Sequence, residues 1–314
     1  MAAMEASFLP KYPSPAPKSS PWLSSVISLV AYLLVASLFI RDIKVAVILI
    51  FILLLHELGH YLAMRHYRYH ETGIFFIPLL GAFVSGSKRT LSQQESATII
   101  LAGPLPGMLL GTLLLLLTRN VPLDLSIASV LNWSGAALLL LNGFNLLPIY
   151  PLDGGQLLHR VFLDEESLLG RIFVLFSALL LTWLALQLKF YALLLFPLLL
   201  LWRTRKDKTL KKIEERIAAA GIDTDVDYEQ LPDQDYWKIR AILIEVHPRF
   251  ASLNPATNEY DSKEASVQSL IASLLDRKLI MDLTIAKKLM IATLWIAALA
   301  FTALFGLLTL KGLS

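Results

Sequence analysis

Between Ile43 and Met64 the chain runs almost wholly apolar for about the length of a bilayer crossing, yet His56, Glu57 and His60 are set into the middle of that run. Ionisable side chains at membrane depth are costly unless they pair, bind a metal or face water. On a helix, residues four apart leave from one face, one turn above the other, so His56 and His60 form a two-imidazole claw. The pattern is H-E-x-x-H. Two such histidines can hold one zinc ion, and the glutamate between them can serve as general base to water at the metal. The plainer alternative is a pair of hydrogen-bonded core histidines beside an unrelated glutamate. In a chain with only six histidines that coincidence is rare, and the apolar setting makes it rarer.

Composition agrees with a membrane setting. Of 314 residues, 56% are hydrophobic and 17% charged, with a mean hydropathy of +0.61; a soluble domain carries more charge than this. There is no cysteine, which excludes disulfides and thiolate zinc sites. The net charge of +3 is small, and the basic residues sit beside apolar segments rather than on one face, which argues against nucleic-acid binding.

The expected organisation is an α-helical polytopic membrane protein. It has about seven transmembrane helices, a short β-hairpin after the second, and a small α-helical cytoplasmic domain. Residues 1–21 form a Pro- and Ser-rich leader expected to be disordered. A six-helix core follows over 22–205, with spans at Trp22–Ile40, Ile43–Met64, Ala97–Leu117, Val130–Ile149, Arg171–Leu188 and Phe190–Trp202. The first span is long for a signal peptide and turns through Arg41-Asp42 straight into the second, which favours an uncleaved helix. Residues 73–86, rich in Gly, aromatic and β-branched residues around Pro78, read as a hairpin. Such backbone lies at membrane depth only where protein covers it or water reaches it. The Gly103-Pro104-Leu105-Pro106-Gly107 stretch reads as a close-packing seam. Residues 206–287 form the helical domain, and 288–314 carry the last transmembrane helix.

A second motif closes the fourth span. Pro148 and Pro151 stop the helix, and Gly154-Gly155 permits a sharp turn around Asp153. An acid on such a turn can reach sideways to a metal held by another helix, making Asp153 the third candidate ligand and leaving one position for water. Taken alone, Asp153 reads better as an Asx-turn cap of the helix from about Gly155 onward. Glu165 or Glu166 would be the rival third ligand. The basic run Arg203 to Lys212, with Lys287 and Lys288, places the helical domain in the cytoplasm. Alternating crossings then bring the end of the second span and the Asp153 turn to that same side.

HELGH at 56–60 paired with NLLPIYPLDGG at 145–155 resembles the site-2 protease family of intramembrane zinc metalloproteases, peptidase family M50. The resemblance covers about residues 40–205 and departs from many members in lacking an evident PDZ or CBS domain. It implies one zinc ion on His56, His60 and Asp153, with Glu57 as general base. Asn145 matches a family position from which its amide can hydrogen-bond substrate or a developing oxyanion. The implied reaction is hydrolysis of a peptide bond in or near the transmembrane segment of a single-span membrane protein, as in regulated intramembrane proteolysis. The lipid bilayer is then a partner, and a homo-oligomer is left open. The competing reading is a non-proteolytic metal-binding or transport protein, for which Glu57 would be dispensable.

Overall fold

The computed structural model describes residues 9–13, 22–78, 81–88, 90–163, 167–255, 259–275 and 278–311. The chain divides into two compact units, one of Ser20–Pro197 with Leu279–Ser314, the other of Met1–Ser19 with Leu198–Lys278.

In chain order the helices are α1 (Trp22–Phe39) and α2 (Ile43–His66), then strands β1 (His70–Ile77), β2 (Gly81–Ser87) and β3 (Thr90–Ser92). Next come α3 (Gln93–Ala102), α4 (Pro104–Asn120), α5 (Leu125–Asn145) and α6 (Asp153–Leu157), which runs into a π-helical turn at Leu158–Phe162. After α7 (Leu168–Gln187) a 3-10 turn at Tyr191–Leu194 leads into α8 (Leu195–Ala219). The remainder is α9 (Asp233–Val246), α10 (Glu264–Leu275), β4 (Lys278–Ile280) and α11 (Ile285–Lys311).

Local chemistry accounts for these boundaries. Asp42 caps α2, its carboxylate accepting from the amides of Lys44 and Val45. Ser92 caps α3 in the same way, and Asp124 caps α5. Gly103 followed by Pro104 splits the expected third span into α3 and α4, because Pro at the first helical position needs no donor behind it. The fourth span lies at Leu125–Asn145 rather than Val130–Ile149: Asp124 starts it early, and Pro148 prevents the helix from running on.

Among the described residues six helical stretches are long and apolar enough to cross a membrane, where about seven were expected. The remaining expected span, Phe190–Trp202, corresponds to a shorter apolar helix. Its apolar stretch, Tyr191–Leu200, is too short for that class and continues directly into the charged helix of the second unit as α8. The start of the helical domain expected from residue 206 is therefore the far end of α8.

β1 and β2 pair antiparallel, with Phe75 opposite Phe83 and Ile77 opposite Gly81. Gly81 makes the return at φ 115°, a value that favours glycine. α1 lies along β1: the Phe76 amide donates to Ser28 Oγ at 3.1 Å, and Tyr32 meets the Phe76 ring at 5.9 Å. α1 buries none of its residues, as expected of a helix whose surroundings are lipid. The core of the first unit is made by Ile100, Leu101, Met108, Leu115, Leu139 and Leu157 together with Trp295 of α11. The last helix thus packs into the same core as the earlier spans.

In the second unit α8, α9 and α10 enclose Ile213, Ile217, Tyr236, Leu243, Val267 and Ile271. Inside it Arg240 and Glu264, 1% and 0% exposed, pair at 3.0 Å, and Tyr236 donates to the same carboxylate. Burial, reinforced by that carboxylate, pushes the Tyr236 phenol far above its ordinary range. The disorder expected for residues 1–21 does not hold over 9–13. Lys11 is anchored there by hydrogen bonds from its amide to Asp233 and from its ammonium to two backbone carbonyls. The rest of that leader lies outside the described residues.

Removing one partner of a buried ion pair strands the other. Glu264→Ala is expected to cost about 3–5 kcal/mol of stability in this unit, measured as faster hydrogen exchange of the α9 amides in the full chain. Unchanged exchange would show that the pair is not closed in solution.

Candidate metal centre

The site is assembled from α2, α3, α5 and α6. His56 and His60 project from one face of α2 towards Asp153, the first residue of α6. Exposure falls to 6% for His56, 4% for Glu57, 9% for His60 and 7% for Asp153. Their nearest ligand atoms form a small triangle. His56 Nε2 and His60 Nε2 are 3.2 Å apart, and Asp153 Oδ2 lies 3.0 and 3.4 Å from them.

The tautomers follow from what lies behind each ring. His60 Nδ1 is 2.8 Å from the Ile99 carbonyl, which can only accept, so Nδ1 carries the proton. His56 Nδ1 is 2.8 Å from Asn142 Oδ1, while the Asn142 amide donates to the Leu138 carbonyl at 2.7 Å. His56 is thereby held as an Nδ1 donor too. In the neutral rings both Nε2 atoms then present lone pairs towards a carboxylate oxygen that is itself buried without a hydrogen-bond donor. Three buried acceptors converging on one point repel one another unless a proton or a metal ion lies between them. A tetrahedral zinc with bonds of about 2.0–2.1 Å requires ligand atoms roughly 3.3 Å apart, which the observed spacings bracket. The donor set fits a metal. Among the described residues this is the single group of at least three His or acidic side chains so arranged.

The surrounding backbone explains how the claw is seated. At Gly103, between α3 and α4, a Cβ would collide with the His60 ring, and at Gly107 with the Asn142 amide. The small residues of this seam therefore make room for a ligand and for the partner of a ligand, beyond helix packing alone. The Asp153 turn is held from both sides. Ser177 of α7 accepts from the Tyr150 amide at 3.1 Å, and Trp295 of α11 donates to the Leu146 carbonyl at 2.7 Å. Gly154 and Gly155 lie inside α6, where they let it press against the backbone of Leu146 and Ile149, rather than forming the turn itself.

Asn145 sits one helical turn beyond Asn142, half-buried. It lines a cavity of about 240 Å³ with Tyr32, Phe144, Asn142 and His56. Its side chain makes no hydrogen bond among the described residues. Glu165 and Glu166 lie outside the described residues, and His66 and His70 are exposed. Asn142, which orients His56, is the residue that motif reading passed over. Its signal was a lone amide after four leucines, at a depth where an unpaired amide is costly.

The sequence model of peptidase family M50 matches residues 44–123, the stretch that carries the histidine claw and both seam glycines. Over those residues the chain is similar to peptidase family M50. A zinc metalloprotease of Methanocaldococcus jannaschii is 30% identical over 115 residues, which is 36% of this chain and 33% of that protein. The stage IV sporulation protein FB of Bacillus subtilis is 29% identical over 119 residues, 38% of this chain and 40% of that protein. The chain thus spans well under half the length of either relative. A solved site-2 protease from Methanocaldococcus jannaschii superposes with a TM-score of 0.39 at 22% identity, covering 56% of this chain and 83% of that one. With six long apolar helices among the described residues, the chain is an integral multi-pass membrane protein.

Outer partners of metal-bound histidines typically change affinity by 10- to 100-fold. Asn142→Ala is expected to weaken zinc retention by about that factor while helical content is unchanged, as read by competition with a chelator. Retention equal to wild type would show that His56 needs no orienting amide.

Proposed function

We propose that the protein is an intramembrane zinc metalloprotease that hydrolyses a peptide bond in or near the transmembrane segment of a membrane-anchored protein. The observation that carries this reading is the convergence of His56, His60 and Asp153 on one point, with Glu57 buried on the same turn of α2. When bound there, zinc supplies Lewis-acid polarisation of a carbonyl and a lowered pKa for water. Glu57 takes the proton from the attacking water and delivers it to the leaving amine. Asn142 and the Ile99 carbonyl hold the two imidazoles as Nδ1 donors, so that both Nε2 lone pairs stay directed at the site. Asn145, beside His56 on the cavity wall, is placed to donate an amide N–H to the substrate backbone.

A helical substrate hides its scissile carbonyl in its own hydrogen bonds and must unwind before attack. The β1–β2 hairpin is a two-stranded sheet able to hold an unwound segment by edge pairing. A proline placed in that hairpin is expected to impair cleavage with zinc still bound; loss of both would make the hairpin structural.

Topology supports a cytoplasm-facing site. Lys11 is hydrogen-bonded within the same unit as residues 210–275, so the chain's start and the helical unit share one side of the membrane. Five long spans separate them, an odd number. On this reading the short Tyr191–Leu200 stretch is the sixth crossing, and the adjacent basic run favours the cytoplasm as the shared side.

The deciding experiment is cleavage of a single-span substrate by wild type and Glu57→Gln, with zinc measured in both. Cleavage is expected to fall by at least about 10³-fold, in the range seen when a general base is lost, with one zinc ion retained. Undiminished cleavage would remove Glu57 from the chemistry, and a zinc-loaded wild type with no cleavage would favour metal binding or transport.

A further inference from the structure

The helical unit holds residues 9–13 in a way that packing alone does not require. Leu9-Pro10-Lys11-Tyr12-Pro13 lies against Tyr228, Trp237 and Tyr260. The two prolines set their own φ and keep Leu9 and Tyr12 out of helical geometry, so the segment arrives extended at little entropic cost. Its backbone is then read nearly residue by residue. Trp237 Nε1 donates to the Leu9 carbonyl at 2.7 Å, Tyr260 OH to the Pro10 carbonyl, and Tyr228 OH to the Tyr12 carbonyl at 2.6 Å. The Lys11 amide donates to Asp233 Oδ1 at 2.9 Å.

Side chains supply the selectivity. The Lys11 ammonium donates to the carbonyls of Glu229 and Leu231, each at 2.6 Å, and stands over the Tyr228 ring at 5.6 Å. Tyr12 meets Tyr260 edge-on at 5.3 Å, and Tyr260 stacks on Trp237 at 5.9 Å. By contrast Leu9, Pro10 and Pro13 stay exposed, and the site lies more than 200 residues away along the chain. A segment held mainly by hydrogen bonds to its carbonyls, with Tyr12 as its one apolar contact to the unit's core, belongs to the readily opened part of a fold.

We propose that the helical unit is a peptide-recognition site for proline-flanked, lysine- and aromatic-containing extended segments, and that Leu9–Pro13 is its built-in, exchangeable occupant. Aromatic side chains reading the carbonyls of a proline-stiffened peptide are a recurrent recognition mode. Tethering gives the internal segment an effective concentration near the millimolar range, so a segment of the same chemistry on another protein must compete with it. Nothing in this proposal depends on the metal centre.

The test uses the full chain with Leu9–Pro13 replaced by Gly and Ser, and a fluorescent peptide copying residues 7–16 as probe. The replaced chain is expected to bind the peptide by anisotropy at least about tenfold more tightly than wild type, whose site is occupied in cis. Tyr260→Phe in the replaced chain, or Ala for Lys11 in the peptide, is expected to weaken binding several-fold. Equal binding by the replaced and wild-type chains would overturn the proposal. So would failure of the replaced chain to protect residues 210–275 from limited proteolysis, because the segment would then be an integral part of that fold.

Discussion

Three buried lone pairs directed at one point are the constraint around which the first unit is organised. Left alone, His56 Nε2, His60 Nε2 and Asp153 Oδ2 would repel one another in a medium too apolar to screen them. Their approach is tolerable if a proton or a metal ion lies between them and if every other polar atom of the three residues is accounted for. The Nδ1 atoms meet that condition through Ile99 and Asn142. Much of the surrounding structure follows from keeping those partners in place. Gly103 and Gly107 bring the α3–α4 seam close enough for the rings and amide to fit, and Trp295 and Ser177 clamp the turn that delivers Asp153.

The same view gives α11 a place in the centre. It is the last element of the chain, yet its indole bonds the Leu146 carbonyl just past α5, and Thr302 packs where Gly143 has no side chain. A helix that looks in sequence like an appended anchor is part of what holds the turn that carries Asp153. The second unit follows a different logic, with a core of its own and an ion pair sealed inside it. Its aromatic groove accommodates a segment from the far end of the chain.

Much of the site was legible in the residues themselves. His56, Glu57 and His60 stand out because helical spacing and membrane depth together leave them few roles. Asp153 was legible as a turn residue and became a candidate ligand only when paired with the histidine motif. The hairpin, the bends at Pro104 and Pro148, and most spans were readable from helix-capping and proline chemistry, which act within a few residues. What was not readable was equally local in cause. The stretch Tyr191–Leu200 is apolar but short, and hydropathy cannot say that its helix continues into the charged residues of α8. The 1–21 leader has the composition of a disordered tail, and nothing near it reveals that Tyr228, Trp237 and Tyr260 receive part of it.

The amino-acid sequence by itself determined that this is a helical membrane protein with a two-histidine claw, a glutamate beside it and an acid on a proline-bounded turn. Those properties rest on periodicity, hydropathy and the geometry of neighbouring residues, all of which are short-range. Tertiary structure alone decided which amide orients His56, which carbonyl orients His60, why two glycines sit where they do, and where residues 9–13 dock. Each of those is a contact between segments tens to hundreds of residues apart. Its partner is chosen by three-dimensional closeness and the need to satisfy buried polar atoms, and no pattern along the chain records either.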